Sequence, residues 1–224
     1  MRKRFHQSLD ELKEKLLVMA GFAEQATQRA IEAYRMRDQE LVELVRRSEP
    51  AINRLEREID STALDLLAME QPMAVDLRFI LSVIRINADL ERVGDLAVNI
   101  AMRAGEMNEL PPVDLPVDIP RLGTLAAAMI RKSLEAFIEG DAELAESVLA
   151  LDDEVDHLNK TAFRALSVVI REQSHLTTQA LNAMLIARNL ERVGDHATNI
   201  AEDVIFWVNG RDVRHKMTVV EPLH

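Results

Sequence analysis

The sequence of 224 residues has no cysteine and few of the residues that interrupt helices. Without cysteine, disulfides and thiolate metal sites are excluded. The sequence has only seven glycines, seven prolines, six phenylalanines, one tryptophan and one tyrosine. These low numbers disfavour a many-stranded sheet, which needs turn residues and aromatic strand residues. The net charge of −11 disfavours nucleic acid as a direct partner, because phosphates require a basic surface.

Long apolar runs are also missing. The longest is LLVMAGFA at 16–23, whereas a membrane-spanning helix needs about 20 apolar residues. The first segment, MRKRFHQSLDELKEK, is basic but lacks the apolar stretch of a secretory signal. We therefore expect a cytoplasmic protein.

Apolar residues instead recur at alternating spacings of three and four, in three long segments of each half of the chain. In one segment they are Leu144, Val148, Leu151, Val155 and Leu158. This pattern predicts helices packed lengthwise in left-handed bundles. The connections between the segments are short, so successive helices should be antiparallel. The sequence therefore predicts an all-α fold of two tandem three-helix bundles.

Four of the seven prolines lie in ELPPVDLPVDIP, and this segment divides the chain. We predict four parts: a first three-helix bundle over 1–108, a Pro-rich linker over 109–120, a second three-helix bundle over 121–210 and a C-terminal tail over 211–224.

The two halves repeat each other. DQEL at 38–41 corresponds to DAEL at 141–144, and ERVGD at 91–95 recurs at 191–195. The offsets of 103 and 100 residues imply a small insertion or deletion between these motifs. Two copies of one small domain explain this repeat better than a solenoid, whose unit is about 20–50 residues.

The glycines of the two ERVGD motifs, Gly94 and Gly194, fall on the apolar seams of their helices. A glycine inside a helix costs about 1 kcal/mol relative to alanine. Their equivalent positions indicate a close approach between helix backbones, and tight packing without any chemistry is enough to explain them.

Each ERVGD motif also places two carboxylates on one helix face. Residues i and i+4 lie on the same face about 6 Å apart along the axis, so Glu191 should lie beside Asp195. The preceding helix turns back near residue 173, and Asp152 and Asp156 lie about as far before this turn as Asp195 and Glu191 lie after it. Antiparallel packing therefore predicts a second acidic face on the outside of the second bundle, consisting of Asp152, Asp156, Glu191 and Asp195.

The first half repeats this arrangement around a turn near residue 71. The predicted first acidic face consists of Glu49, Asn53, Glu91 and Asp95. It should be the weaker of the two, because Asn53 is neutral where Asp156 is charged. Asn99 and Asn199 extend the two sets by another helical turn.

Converging carboxylates repel one another unless positive charge lies among them. In one interpretation they face water or are neutralised by basic neighbours, for which the candidates are Arg92, Lys160, Arg188 and Arg192. In the other they bind a cation, because oxygen ligands suit Mg, Ca, Mn and, in clusters, Fe. His196 would add a nitrogen ligand to the second face, whereas Leu96 takes its place in the first half. The spacing leaves both interpretations open, and the sequence shows no catalytic constellation.

The segment QPMAVDLR at 71–78 and the two ERVGD motifs, each followed by NIA, resemble the PhoU family of bacterial phosphate-uptake regulators over about residues 5–215. The resemblance implies a non-enzymatic, cytoplasmic and often dimeric protein that restrains phosphate uptake and the phosphate-starvation response. It also implies two partners, the ATP-binding subunit of the phosphate ABC transporter and a membrane-bound sensor histidine kinase. Membrane contact is then expected only through these partners.

Some members of this family carry iron or zinc clusters through E/D-x-x-x-D motifs. Here those motifs fall within 91–95 and 191–195, with Asp152 and Asp156 as the opposing pair. The expected cofactors are therefore iron, zinc, manganese or magnesium cations on the acidic faces. The expected function is a signalling adaptor between transporter and kinase. A metal-dependent helical enzyme, which needs an enclosed pocket with a base, and a purely structural scaffold are the alternatives.

Overall fold

The computed structural model describes residues 2–70 and 72–214, and these residues form six long helices. The helices are α1 (Arg2–Met36), α2 (Gln39–Glu70), α3 (Ala74–Asn108), α4 (Ile119–Glu139), α5 (Ala142–Glu172) and α6 (Thr177–Asn209). The described residues contain no strand, which confirms the all-α prediction. Two bundles follow each other along the chain, α1–α3 and α4–α6, as predicted.

The predicted boundaries shift slightly in the structure. Helix α4 begins at Ile119, so the last two residues of the predicted linker belong to this helix. A short 3₁₀ turn, Ser174–Leu176, joins α5 to α6. Most of the predicted C-terminal tail, from residue 215 onward, lies outside the described residues.

The second helix of each bundle begins with the same cap. Asp38 accepts hydrogen bonds from the backbone N–H groups of Glu40 and Leu41 at 2.8 and 3.2 Å. Asp141 caps α5 in the same way, with hydrogen bonds of 2.9 and 3.0 Å. An N-terminal aspartate satisfies N–H groups that the helix itself leaves unpaired. This shared cap explains why the DxEL pattern occurs in both halves.

The residue just before each cap differs between the halves. Gly140 has a φ of +63°, and the equivalent Arg37 has a φ of +54°. Glycine adopts this left-handed conformation without strain, whereas arginine does not. The guanidinium of Arg37 donates to the carbonyl oxygens of Met107 and Asn108 at 2.8 and 3.1 Å. These bonds to the end of α3 compensate for the strained backbone.

One continuous apolar core extends through both bundles. Helices α3 and α6 make the most extensive contact between any two helices, and they run antiparallel. At one end of this contact, the Ser82 hydroxyl donates to the carbonyl oxygen of Asp203 at 2.9 Å. Phe79 and Trp207 pack edge to face nearby, with ring centroids 5.2 Å apart. The bundles are therefore held together by packing as well as by the linker.

The helices are amphipathic rather than apolar on every side. Their outer faces carry exposed charged residues, such as Glu14 of α1 and Glu146 of α5. Throughout the described part of the chain, no helix has an apolar stretch long enough to cross a membrane.

Candidate functional site

The second acidic face lies along the outer side of α5 and α6. The two helices pack closely there, because Gly194 leaves room for Val155: a Cβ at Gly194 would lie 3.3 Å from Val155 Cγ1. The neighbour of this glycine is thus a β-branched side chain rather than another backbone. Beside this contact, Asp152 and Asp156 of α5 interact electrostatically with the carboxylates of α6, so the four predicted carboxylates converge.

Burial and mutual repulsion raise the pKa of three of these carboxyl groups. For Asp152 the largest cause is burial, followed by the charges of Asp195 and Asp156. Burial also raises the pKa of Glu191, and the charge of Asp195 raises it further while Arg188 opposes it. For Asp195 the causes that raise the pKa are burial and then Asp156. The fully charged state of this face is therefore unfavourable, and a bound cation would stabilise it.

Basic side chains flank the second acidic face without balancing it. Lys160 Nζ lies 2.6 Å from Asp156 Oδ2, and Arg188 Nη1 lies 3.2 Å from Glu191 Oε1. Both basic side chains are largely exposed, so water screens their attraction. Glu191 Oε2 is buried and accepts no hydrogen bond from the described residues. Basic neighbours therefore neutralise the carboxylates of the second acidic face only in part.

The first acidic face lies along α2 and α3. Burial raises the pKa of Glu91, and the charges of Asp95, Glu56 and Glu49 raise it further while Arg92 opposes them. Arg92 Nε lies 3.4 Å from Glu91 Oε2, and its Nη1 lies 3.5 Å from Asp95 Oδ2. A single arginine therefore interacts with both carboxylates of the motif on its own helix.

Glu56 belongs to this face and was missing from the sequence prediction. Glu56 follows the seam residue Leu55, just as Glu49 follows the seam position of Ser48 one heptad earlier, and this heptad position is the signal that could have found it. With Glu56, the first acidic face has four carboxylates, so the neutral Asn53 does not make it poorer in charge than the second. The Oδ1 atom of Asn53 is buried without a hydrogen-bond partner among the described residues.

Asp89 of α3 contacts two residues at the end of the second acidic face, Asn199 and His196. Asn199 Nδ2 donates to Asp89 Oδ1 at 3.1 Å, and His196 Nδ1 lies 2.7 Å from the same oxygen. Asp89 belongs to α3, so both side chains connect the two bundles. The hydrogen bond of Asn199 uses its amide nitrogen, so the extension of the second face to Asn199 stays a prediction, whereas His196 is engaged away from the carboxylates. Asn99 is exposed one turn beyond Asp95 and stays a predicted member of the first face.

The donor set of the second face fits a hard cation, although its side chains are not gathered around one point. Within 2–70 and 72–214, no three Asp, Glu or His side chains are placed closely enough to hold a metal ion. The residues nevertheless supply carboxylate oxygens, which hard cations prefer. Asp152 and Asp156 are partly exposed, Asp195 is exposed, and Glu191 Oε2 is buried without a hydrogen-bond partner among the described residues.

The chain is similar to known proteins in both halves. The family model of the PhoU domain matches it twice, at residues 16–104 and 119–204. The phosphate-specific transport system accessory protein PhoU homolog of Pseudomonas aeruginosa is 39% identical over 216 residues, which cover 95% of this chain and 88% of that protein. The homolog of the same name from Clostridium acetobutylicum is 34% identical over 213 residues, which cover 95% of this chain and 97% of that protein.

Two solved structures have the same fold. The crystal structure of PhoU from Pseudomonas aeruginosa aligns with a TM-score of 0.88 and 37% identity, covering 92% of this chain and 100% of that one. The crystal structure of the phosphate transport system regulatory protein PhoU from Streptococcus pneumoniae aligns with a TM-score of 0.86 and 27% identity, covering 93% and 99%. The similarity therefore includes both bundles and their packing against each other.

Proposed function

The chain belongs to the PhoU family, and on this premise we propose that it regulates phosphate uptake as a non-enzymatic accessory protein of a phosphate transport system. The observation that carries the proposal is the similarity to proteins named as accessory to phosphate-specific transport, at 39% and 34% identity over 95% of the chain. A relative of known structure is likewise named a phosphate transport system regulatory protein.

We propose further that the regulation is negative and that the protein acts in the cytoplasm as an adaptor. Its partners would be the ATP-binding subunit of the phosphate ABC transporter and a sensor histidine kinase, and the adaptor would work as a homodimer. The fold supports this role because α3 and α6 lie at the centre and leave the outer sides of both bundles exposed. Two similar but unequal acidic faces suit an adaptor that contacts more than one protein.

The acidic faces are also proposed to bind divalent or iron cations, with Fe, Zn, Mn and Mg as candidates. Burial and like charges raise the pKa of Glu91 on the first face and of Asp152, Glu191 and Asp195 on the second, which supports this proposal. A bound cation supplies positive charge that allows all carboxylates of a face to remain ionised together. The residues that would hold it are Glu49, Glu56, Glu91, Asp95, Asp152, Asp156, Glu191 and Asp195, with Asn53, Asn99 and Asn199 as weaker candidates.

A metal-dependent enzyme fits these faces less well than a regulator does. A catalytic metal site needs a concave pocket that holds substrate beside a general base. Asp195 is exposed, and Asp152 and Asp156 are partly exposed along the sides of their helices. This arrangement favours a surface that binds cations and partner proteins.

Alkaline phosphatase activity in phosphate-replete cells tests the regulatory proposal. Deletion of the gene should raise this activity, and the wild-type gene should silence it again. A variant with alanine at Glu91, Asp95, Glu191 and Asp195 should fail to silence it at equal protein level, because neither acidic face remains intact.

A control variant removes the same number of carboxylates from exposed positions outside both faces, namely Asp10, Glu14, Asp65 and Glu146. This control should silence the phosphatase as the wild type does. Low phosphatase activity after deletion would contradict negative regulation. Equal failure of both variants would show that net charge matters and that the acidic faces do not.

A further inference from the structure

A groove lined by exposed apolar side chains lies between α5 and α6, beside the second acidic face. Its volume is about 620 Å³. Phe163, Leu181 and Leu185 line it, and their exposed fractions are 62%, 47% and 44%. Large apolar residues that are exposed singly are common, but several exposed together are typical of an interaction surface.

Three basic side chains surround this apolar floor. They are Lys160, Arg164 and Arg188, in a chain whose net charge is −11. Lys160 and Arg188 also pair with carboxylates of the second acidic face. Arg164 forms no ion pair with any residue that the structure describes. The groove thus combines an apolar floor with a basic rim, on which Arg164 supplies the charge that is not paired with a carboxylate of the described residues.

The first bundle has an acidic residue at the position of the groove's phenylalanine. By the repeat offset of 103 residues, Phe163 and Arg164 correspond to Asp60 and Ser61 of α2. Asp60 Oδ1 accepts a hydrogen bond from Asn87 Nδ2 at 2.9 Å. An engaged carboxylate therefore takes the place of the exposed phenylalanine. The exposed aromatic side chain of the groove floor is therefore not repeated at the equivalent position of the first bundle.

We propose that this groove binds an amphipathic helix of a partner protein, with large apolar residues on one face and Asp or Glu along its edges. Leu181 and Leu185 are one helical turn apart, so they match apolar anchors spaced three or four residues apart on a bound helix. The positive rim selects acidic flanks by charge complementarity. Binding of such a helix is inferred from the groove alone and goes beyond the proposed function.

A second copy of this chain fits the groove less well than an acidic helix does. In a symmetric dimer the same patch of both subunits meets across the two-fold axis. The rim, with Arg164 at its edge, would then face its own copy, and like charges would repel.

Binding of labelled synthetic helices to the full-length protein tests this proposal. The probe is a fluorescent peptide of about 18 residues, or about five helical turns, with leucines spaced three and four apart and glutamates along both edges. A second peptide carries lysine at every glutamate position. Fluorescence anisotropy should show that the acidic peptide binds at least about tenfold more tightly than the basic one.

Two substitutions locate the binding site. Phe163→Ser and Arg164→Glu should each weaken binding of the acidic peptide about tenfold. Leu64→Ser is the matched control, because Leu64 is 60% exposed on α2 and does not line the groove. Circular dichroism and a melting curve should show that all three variants remain folded, since each replaced side chain lies at the surface.

Three outcomes would overturn the proposal. The first is equal binding of the acidic and the basic peptide. The second is wild-type binding by Phe163→Ser. The third is a changed oligomeric state of Phe163→Ser in sedimentation, which would identify the groove as a contact between copies of this chain. Phosphatase activity after gene deletion is measured separately, so failure of the regulatory proposal and failure of the groove proposal are distinguishable.

Discussion

The two acidic faces occupy equivalent places in the repeat, but their charges are balanced differently. On the first face, Arg92 interacts with both Glu91 and Asp95 from the same helix, at 3.4 and 3.5 Å. On the second face, Lys160 and Arg188 each engage one carboxylate, and they come from different helices. On the first face, burial and then the charge of Asp95 raise the pKa of Glu91. On the second face, burial and then neighbouring carboxylates raise the pKa of Asp152, Glu191 and Asp195. We therefore expect the second face to bind cations more tightly.

The repeat also exchanges a carboxylate and an amide between the two faces. Asn53 and Glu56 of α2 correspond to Asp156 and Asn159 of α5. Each face thus keeps four carboxylates, but one of them lies a helical turn further along in the first bundle. Duplication has preserved the helix positions and the amount of charge, while neighbouring residues decide how strongly that charge is compensated.

Cation binding should give the largest difference between the faces. Glu191→Gln with Asp195→Asn should weaken binding of Mn²⁺ at least about tenfold, whereas Glu91→Gln with Asp95→Asn should weaken it only about threefold. Isothermal titration calorimetry would measure both constants. Asp10→Asn with Glu14→Gln, both exposed and outside the faces, is the control. Equal losses in the two pairs would remove the proposed difference, and no loss in either would contradict cation binding.

The junction between the bundles should show a strong dependence of stability on pH, because the repeat is broken there. Asp203 is 3% exposed, and its equivalent in the first half is Arg103. Burial raises the pKa of Asp203 to about 6, although Arg85, at 3.0 Å, and Arg214 oppose the increase. A raised carboxyl pKa favours the folded state below the unfolded value of about 4, and this contribution is lost as the pH rises through about 6.

In the wild type, the charging of Asp203 should lower the free energy of unfolding by about 3 kcal/mol between pH 4 and pH 7, and Asp203→Asn should abolish this decrease. Urea unfolding across this range would measure it. Glu106→Gln is the control, because it removes an exposed ion pair with Arg103, whose atoms are 2.8 Å apart. Parallel pH profiles of Asp203→Asn and the wild type would contradict this prediction.

The two motif glycines should differ by about 1 kcal/mol when replaced by alanine. A Cβ at Gly94 would lie 2.8 Å from Ile52 Cδ1 and 3.3 Å from its Cγ2, so the isoleucine must move. A Cβ at Gly194 would lie 3.3 Å from Val155 and 3.5 Å from the sulfur of Met129, which adapts easily. Thermal unfolding should show Gly194→Ala near the wild type or above it, and Gly94→Ala below it. The reverse order would be inconsistent with this packing.

The smallest effect should come from neutralising one carboxylate in the absence of cations. Burial and then Asp195 raise the pKa of Glu191, so its charge destabilises the fold at neutral pH. Glu191→Gln should raise the melting temperature by about 2 °C at pH 7 with a chelator present, and the difference should disappear at pH 4. Glu49→Gln is the comparison on the first face. A lower melting temperature for Glu191→Gln would mean that its pairing with Arg188 outweighs the repulsion.

Much of the candidate site could be predicted from the spacing of residues along single helices. Asp152, Asp156, Glu191 and Asp195 lie at heptad positions that antiparallel packing brings together, and their mutual electrostatic effects are seen in the structure. Glu56 also lies at such a heptad position. It was not predicted, because the repeat makes Asn53 the equivalent of Asp156. The orientation of Asn199 was not predictable in this way, because its partner Asp89 belongs to the other bundle.

The amino-acid sequence by itself determined the helices, their antiparallel order, the repeat and the two pairs of acidic helix edges. These properties follow from local periodicity, capping residues and short turns, each of which acts within one helix or one hairpin. Only the tertiary structure decided that α3 packs antiparallel to α6, that Asp203 is buried against Arg85, and that an exposed apolar groove lies beside the second acidic face. The physical reason is that the contacts between α3 and α6 join residues about a hundred positions apart. The free energy of packing also depends on the complementary shape of whole helix surfaces, which the periodicity along the chain does not determine.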